Sequence, residues 1–324
     1  MIDRKPRVLA TRHFPPVVEA RLAGNFDAAL NPEDRLYDSP ALVKAAEGCD
    51  GIMCAAGDPL NAETLGKLPA SVRMIATFSV GYEHVDVAAA ARRKILVSNT
   101  PDVLTDATAD IAMLCLLGAA RRAHEGITML RTHNWVGWTP TQLMGVHVTG
   151  KRLGILGMGR IGQALAVRAR AFRMTIHYSN RTRLAPDLEK GAVFHANPDD
   201  MLAHCDILSI NAPMTPETRK WVNATRLARL PKGAIVVNTA RGGVVDDEAL
   251  IAALKSGHLA SAGIDVFDGE PKIHQGYYGL QNAFLLPHMG SATTETRNAM
   301  GFKALDNLEA FLLRGQQPPD LVKV

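Results

Sequence analysis

Residues 153–162 read Leu153-Gly154-Ile155-Leu156-Gly157-Met158-Gly159-Arg160-Ile161-Gly162. The apolar run before Gly157 predicts a buried strand, and the sequence QALAVRA at 163–169 predicts a helix. A glycine spacing of GxGxxG is weak evidence by itself because glycine-rich turns are common. Between a strand and a helix, however, it is typical of the turn that carries the pyrophosphate of a dinucleotide. This stretch therefore predicts a dinucleotide-binding fold.

Each glycine of the motif has a separate predicted role. Gly157 permits the tight turn, Gly159 lets backbone N–H groups approach the pyrophosphate, and Gly162 lets the helix pack closely on the strand. Arg160 and Ile161 begin the helix whose N-terminus faces the phosphates. We assign all five positions to cofactor binding.

Short apolar runs alternate with helical stretches on both sides of the motif. They predict ten strands, at 8–10, 51–54, 74–76, 95–97, 153–156, 175–178, 206–210, 234–238, 263–266 and 283–286. Continuous apolar runs of this length are typical of buried parallel strands. The predicted fold class is α/β, with two Rossmann-like or flavodoxin-like parallel-sheet domains.

Two long helical stretches, 102–122 and 293–313, mark the domain organisation. Only the later run of strands contains the glycine motif. We predict that a dinucleotide-binding domain at 102–289 is inserted in a discontinuous substrate-binding domain, which comprises 1–101 and 290–324.

Composition restricts the function classes. The 324 residues are 47% hydrophobic and 21% charged, which indicates a globular protein. The net charge of +4 is spread thinly, so we expect no nucleic acid partner. The four cysteines form no CxxC pair or metal-like cluster, and we expect reduced thiols and no metal. With neither a signal core nor a membrane-length apolar run, a cytoplasmic location with no membrane partner is expected.

Cofactor choice is read about 20 residues after the motif, where an acidic residue binds the ribose 2′-hydroxyl of NAD. This chain has Asn180, Arg181, Thr182 and Arg183 there, and no acid. Arginine forms bidentate, charge-assisted hydrogen bonds with phosphate, so the sequence favours NADPH over NADH. The alternative is that both arginines are solvated surface charges.

Three later segments place a chemically useful residue after a predicted strand: Arg241, Glu270 and His288. Ligands of open α/β sheets bind at the carboxyl ends of the strands. We therefore expect the three side chains to converge over the nicotinamide. His288 alone would more ordinarily be a packed or capping histidine, and Glu270 alone a surface carboxylate. Arg241, between an apolar strand and two glycines, lies at an awkward place for a purely structural charge. Their convergence favours catalysis.

Together with the glycine motif, these segments resemble the D-isomer-specific 2-hydroxyacid dehydrogenase family over nearly the whole chain. Residues 79–86 (SVGYEHVD) and 102–110 (DVLTDATAD) also look like motifs of that family. The sequence at 180–182 most resembles that of the NADPH-dependent glyoxylate/hydroxypyruvate reductases. The resemblance implies a homodimer, with residues 107–122 and 135–138 as contacts.

The resemblance also implies roles for named positions. Arg241 would clamp the substrate carboxylate and polarise the C2 carbonyl, and the backbone N–H groups of Val80 and Gly81 would bind the same carboxylate. His288 would act as the general acid in reduction and the base in oxidation. Glu270 would hold the other ring nitrogen of His288 and favour the imidazolium.

Further positions are assigned more loosely. Asp265 would support either the nicotinamide carboxamide or the end of its strand. We assign the remaining cofactor contacts to Pro213, Thr239, Ala240 and Gly290. Trp138 resembles a tryptophan that reaches the neighbouring subunit's active site in the glyoxylate/hydroxypyruvate reductases, and the alternative is core packing.

The predicted substrate is a small 2-oxo acid, and small Ala55 and Ala56 leave room for a short polar substituent. The loop at 54–58 lacks the arginine that binds the substrate phosphate in 3-phosphoglycerate dehydrogenases, which argues against a phosphorylated substrate. Val80 and Glu270 argue against phosphite and formate dehydrogenases, which carry lysine and glutamine there. We predict NADPH-dependent reduction of glyoxylate and hydroxypyruvate. The alternatives are a NAD-dependent D-lactate or broad D-2-hydroxyacid dehydrogenase and a dinucleotide-sensing interaction protein.

Overall fold

The computed structural model describes residues 4–323 and contains two compact units. The first runs to Leu104 and resumes at Ala292, and the second, Thr105–Ser291, is inserted between these parts. Two α/β units, the second inserted in the first, confirm the predicted fold class. The observed divisions lie a few residues from the boundaries expected at 101/102 and 289/290. The roles assigned to the two domains stay a prediction.

The first unit has a five-stranded parallel sheet with the order β2-β1-β3-β4-β5. Its strands are β1 (Arg7–Ala10), β2 (Asp27–Ala29), β3 (Gly51–Cys54), β4 (Met74–Thr77) and β5 (Leu96–Ser98). Its helices are α1 (Pro16–Asn25), α2 (Ser39–Ala45), α3 (Ala62–Lys67), α4 (Val87–Arg92) and, after the second unit, α12 (Thr294–Leu312). This is the flavodoxin-like strand order.

The second unit has a seven-stranded parallel sheet with the order β12-β11-β10-β9-β6-β7-β8. Its strands are β6 (Arg152–Leu156), β7 (Thr175–Ser179), β8 (Val193–Phe194), β9 (Ile207–Ile210), β10 (Ala234–Asn238), β11 (Leu259–Ile264) and β12 (Ala283–Leu285). Its helices are α5 (Thr105–Ala120), α6 (Ala123–Arg131), α7 (Arg160–Ala171), α8 (Pro186–Glu189), α9 (Pro198–Leu202), α10 (Ala224–Leu227) and α11 (Asp247–Lys255), with 3-10 turns at Gly242–Val244 and Gln275–Tyr277.

Two strands were not predicted, and one was predicted too late in the chain. β2 lacks large apolar residues and β8 has only two residues, so neither gives a periodic signal. β11 begins at Leu259, continues through the small residues Ala260, Ser261 and Ala262, and ends at Ile264, whereas the prediction ran over 263–266. Its residues are small because α5 packs tightly against it: a Cβ at Gly263 would lie 2.3 Å from the Cys115 carbonyl oxygen.

Each sheet is covered by apolar side chains on both faces, as a doubly wound fold requires. All four cysteines are buried and free. In the second unit, β6 lies between β9 and β7, which is the point where the strand order reverses. The glycine motif follows β6 and so lies at the topological switch point, where such sheets bind their ligands.

Candidate active site

The three motif glycines of the second unit meet different surroundings. Gly157 has a φ of +88°, and a Cβ there would lie 2.6 Å from the backbone nitrogen of Ala212. A Cβ on Gly162 would lie 2.7 Å from the Gly157 carbonyl oxygen, whereas one on Gly159 would meet nothing within 4 Å. Two glycines therefore permit close backbone packing, and Gly159 faces open space at the N-terminus of α7. This geometry fits a pyrophosphate approaching the backbone.

Asn180, directly after β7, holds the glycine turn. Its Oδ1 accepts a hydrogen bond from the Met158 backbone N–H at 2.6 Å, and its Nδ2 lies 3.3 Å from the Met158 carbonyl oxygen. The residue predicted to select the cofactor thus also orders the loop that would carry the phosphates. Thr182, two positions on, is exposed.

Arg181 and Arg183 have different hydrogen-bond partners, although the sequence predicts the same potential role for both. Arg183 forms an ion pair, in which its Nε and Nη2 donate to the two carboxylate oxygens of Glu189 at 2.8 and 3.0 Å. Arg181 is exposed and has no hydrogen bond or ion pair with the described residues, although its charge contributes to the lowered pKa of Glu217. Arg181 alone therefore remains available for a 2′-phosphate.

Two buried oxygens at the ends of β9 and β10 have no hydrogen-bond partner among residues 4–323: Asn211 Oδ1 and Thr239 Oγ1. Burying an acceptor without a donor is costly, so these atoms fit a ligand that donates hydrogen bonds at this edge of the sheet. Ala240 is less open, since its N–H bonds Asn238 and its carbonyl accepts from Arg241 Nη1 at 2.8 Å.

Two loops meet at the carboxyl ends of β10 and β11. A Cβ on Gly242 would lie 1.8 Å from the Phe267 carbonyl carbon, so only glycine permits this contact. The buried Asn238 side chain donates to the Arg241 carbonyl oxygen at 3.0 Å and orders the first loop. The half-buried Arg241 side chain is thereby carried beside the loop that ends in Glu270.

His288 and Glu270 form a pair. His288 Nδ1 is hydrogen-bonded to Glu270 Oε1, and Glu270 Oε2 accepts from the Phe267 N–H at 3.1 Å. The imidazole is 45% exposed, and since Nδ1 faces the carboxylate, Nε2 is the nitrogen available for a substrate. This is the arrangement predicted for an acid/base group and its orienting partner.

The electrostatics keep Glu270 ionised. Burial raises the pKa of this carboxyl, but the hydrogen bond and charge of His288, the Phe267 N–H and the charge of Arg241 outweigh it, so the pKa lies below its usual value. A carboxylate at this place stabilises a positive charge on the ring beside it.

Asp265 holds the loop that carries His288 through hydrogen bonds to its backbone. This buried carboxylate accepts from the N–H groups of Met289 at 2.6 Å and Gly290 at 2.9 Å. Its backbone carbonyl accepts from the His288 N–H, and Thr108 Oγ1 on α5 donates to the Gly290 carbonyl at 3.1 Å. These contacts support the strand-end role of Asp265, and a contact with the nicotinamide stays a prediction. The part of Thr108 was missed, although a lone threonine on an apolar helix face could have suggested it.

Other predicted positions lie at the same edge or in the first unit. Pro213, exposed after β9, accepts from Thr218 Oγ1 at 2.8 Å. In the first unit, Ala55 and Ala56 follow β3, and the Ala55 N–H bonds the buried Asp58 carboxylate at 2.8 Å. Asp58 was not predicted to act here.

Val80 and Gly81 follow β4 in the first unit, so both predicted substrate-binding segments of that unit lie at the carboxyl edge of its sheet. Within residues 4–323, no helix is both long and apolar enough to cross a membrane, and no group of three or more His, Cys, Asp or Glu side chains could hold a metal ion.

Comparison with known proteins decides the family. The family model for the D-isomer specific 2-hydroxyacid dehydrogenase, NAD binding domain, matches residues 113–290. The glycerate dehydrogenase of Hyphomicrobium methylovorum is 43% identical over 94% of this chain and 96% of that protein. The chain belongs to the D-isomer specific 2-hydroxyacid dehydrogenase family.

Solved structures of the D-isomer specific 2-hydroxyacid dehydrogenases agree with the fold. A putative member from Polaromonas has a TM-score of 0.94 and 46% identity, covering 98% of this chain and 100% of that one. The NADPH-dependent glyoxylate/hydroxypyruvate reductase of Sinorhizobium meliloti, in complex with NADP and malonate, has a TM-score of 0.88 and 35% identity, covering 98% and 97%. Members of this family are oxidoreductases, and the second unit corresponds to their dinucleotide-binding domain.

Proposed function

We propose that this protein reduces small 2-oxo acids with NADPH, converting glyoxylate to glycolate and hydroxypyruvate to D-glycerate. The observation that carries the proposal is the His288–Glu270 pair, which leaves the Nε2 of an exposed imidazole available at the carboxyl edge of a dinucleotide-binding sheet. The printed functions of the similar glycerate dehydrogenase and glyoxylate/hydroxypyruvate reductase support the substrate class.

His288 supplies the proton of the reduction. When bound, the nicotinamide provides the hydride for C2. As C2 becomes tetrahedral, the electron pair of the C2=O bond moves to the oxygen, which takes the proton from His288 Nε2. Glu270 holds Nδ1 and stabilises the imidazolium before that transfer, and in the oxidation direction the neutral ring accepts the proton back.

Arg241 binds the substrate carboxylate and polarises the C2 carbonyl. A guanidinium suits this task because its fork of donors matches a planar carboxylate. The backbone N–H groups of Val80 and Gly81, at the carboxyl edge of the first sheet, would bind a substrate carboxylate. Small Ala55 and Ala56 leave room for a short substituent.

The cofactor is held by the glycine turn and α7. Gly157, Gly159 and Gly162 let the pyrophosphate approach the backbone, with Arg160 and Ile161 at the helix start. Asn180, Arg181 and Thr182 would hold the ribose, and Arg181 would bind the 2′-phosphate. The remaining part of the cofactor would be held by Pro213, Thr239, Ala240, Asp265 and Gly290.

A kinetic panel tests the proposal. Glyoxylate, hydroxypyruvate, pyruvate and 2-oxobutyrate are assayed with NADPH and NADH by absorbance at the nicotinamide band. We expect the highest kcat/KM with NADPH and glyoxylate or hydroxypyruvate. Faster turnover of NADH with pyruvate would favour the NAD-dependent D-lactate or broad dehydrogenase. No turnover with any pair would favour the dinucleotide-sensing protein.

Arg181 and Arg183 offer a matched test of cofactor selection. Arg181→Ala should raise the KM for NADPH by roughly 10- to 100-fold, the loss of one charge-assisted contact, and leave the KM for NADH unchanged. Arg183→Ala, which breaks the ion pair with Glu189, should leave the preference for NADPH in place. An unchanged KM for NADPH in Arg181→Ala would reject the phosphate contact.

A homodimer is part of the proposal. Apolar side chains are unusually exposed after α5: Leu130 at 60%, Trp135 at 53%, Val136 at 100% and Trp138 at 78%. Exposed apolar side chains of this kind are typical of interaction sites. Trp138 does not pack in a core among the described residues, so that alternative is wrong. Sedimentation of wild type and Trp138→Ala tests the assembly, and a monomeric wild type would reject it.

A further inference from the structure

The turn after β4 in the first unit is held by three separate hydrogen bonds to three consecutive carbonyl groups. The Ser79 carbonyl accepts from the Thr100 N–H at 2.9 Å, and the Val80 carbonyl accepts from Asn99 Nδ2 at 2.8 Å. The Gly81 carbonyl accepts from the Ser79 hydroxyl at 2.6 Å. No carbonyl of this turn is left to rotate.

Fixing a carbonyl fixes the N–H group of the next residue, because the peptide unit is planar and its C=O and N–H point in opposite directions. The bonds therefore set the directions of the N–H groups of Val80, Gly81 and Tyr82. Among residues 4–323, none accepts a hydrogen bond from the Val80 or Gly81 N–H. The two donors are thus oriented in advance and remain free for a ligand that accepts.

The Ser79 hydroxyl is itself held by a directional chain. Its single proton is given to the Gly81 carbonyl, so its bond of 2.7 Å with Thr77 Oγ1 must be donated by Thr77. Thr77 Oγ1 then has to accept in its contact of 3.0 Å with His84 Nε2, which places a proton on that nitrogen. The proton order therefore runs from His84 through Thr77 and Ser79 to Gly81.

The side chains that form this series of hydrogen bonds are buried. Thr77 is fully buried and Ser79 is 9% exposed, so water cannot readily replace a lost partner. Preorganised donors avoid the cost of ordering the backbone when a ligand binds.

We propose that Asn99 and Ser79 are positioning residues on the two sides of Gly81. Asn99, through the Val80 carbonyl, aims the Gly81 N–H at the substrate carboxylate, and Ser79, whose hydroxyl is fixed by Thr77 and His84, holds the following peptide at the Gly81 carbonyl. The inference rests on the proposed function, in which those two N–H groups bind the carboxylate. It adds that specificity for an acid depends on side chains behind the turn.

Asn99→Leu and Ser79→Ala test the proposal. Asn99→Leu should raise the KM for hydroxypyruvate about tenfold, the loss of one oriented donor, while the KM for NADPH stays unchanged. Ser79→Ala releases only the peptide that follows Gly81 and should raise the KM for hydroxypyruvate about threefold. The inhibition constant of oxalate, a planar dicarboxylate without a carbonyl to reduce, should rise in parallel. Thr77→Val, which keeps the shape and removes the hydroxyl, should raise the KM about threefold, and Thr77→Ser should restore it.

Ser98→Ala is the matched control, because the Ser98 hydroxyl is buried beside Asn99 and has no partner among the described residues. It should keep both KM values, and melting temperatures should verify that every variant is folded. If folded Ser79→Ala and Asn99→Leu keep the wild-type KM for hydroxypyruvate and the oxalate constant, the positioning role is rejected while the proposed function stands. A wild type that turns over no 2-oxo acid rejects the proposed function first.

Discussion

Two groups of histidines in the second unit show opposite electrostatic surroundings. His288 is bonded to the carboxylate of Glu270 at the carboxyl edge of the sheet. His177, His195 and His204 instead surround one another on β7, after β8 and before β9, with ring centroids 5.3–5.7 Å apart. The same side chain thus faces an anion in one region and other imidazoles in the second.

The consequence for the cluster is a preference for neutral rings. Burial and the neighbouring imidazoles lower the pKa of His177, with Arg152 acting in the same direction and Asp206 against it. Burial and His204 lower the pKa of His195, against Asp200. The contact of 3.0 Å between His177 Nδ1 and His195 Nε2 is an ordinary hydrogen bond only if one of them lacks a proton.

The comparison teaches that an imidazole becomes a candidate acid through its partner and not through its residue type. An ionised carboxylate stabilises positive charge on the ring that it bonds, whereas burial and neighbouring imidazoles lower the pKa values of His177 and His195. Function is therefore expected from the first group, and a contribution to the pH dependence of stability from the second.

The largest expected effect comes from removing the first ring. His288→Gln should lower kcat for hydroxypyruvate by about 10²- to 10⁴-fold, because the proton donor is lost. Dinucleotide binding, followed by nicotinamide fluorescence, should persist. His195→Gln is the matched control and should keep kcat. Comparable losses in both variants would abolish the functional distinction between the two groups.

Glu270→Gln removes only the charge from the pair. We expect a kcat about 10- to 100-fold lower, because a neutral amide no longer stabilises positive charge on the ring beside it. Glu270→Asp keeps the charge and should lower kcat less. Steady-state kinetics with hydroxypyruvate measure this, and a wild-type kcat in Glu270→Gln would contradict it.

The smallest effect concerns the cluster. The folded-state pKa of His177 lies below its unfolded value near 6.5, so the unfolded chain binds more protons as the pH falls, and stability decreases from pH 7 to 5. His177→Gln should reduce that loss by about 1–3 °C in Tm. An equal decrease in Tm from pH 7 to 5 in His177→Gln and wild type would contradict a contribution of the cluster to the pH dependence of stability.

Glu270 acts in the same direction in the same stability measurement, but at a lower pH. Its folded-state pKa lies below its unfolded value, so its stabilising contribution is present above that value and is lost as the pH falls through the folded one. Glu270→Gln should therefore change the Tm profile below about pH 4.5 and not between pH 5 and 7.

The sequence predicted the pairing of His288 with Glu270, but it did not predict the cluster of three histidines, and the reason is physical. His288 follows a strand whose carboxyl end could be located from its apolar run, so parallel strands alone bring it to the edge that Glu270 and Arg241 share. The three cluster residues lie at 177, 195 and 204, on and between strands, and the short β8 gave no signal. Their proximity depends on the pairing of β7 with β8.

The fold class, the glycine turn and the residues of the His288–Glu270 pair could be predicted from the sequence, because hydrophobic periodicity and glycine spacing act locally. The tertiary structure was needed to show that Arg183 and not Arg181 bonds Glu189, and that Asp265 holds the His288 loop. It also decided that Ser79 and Asn99 hold the turn at Val80. These contacts join residues from different strands and loops, and a hydrogen bond between them exists only once the chain has folded.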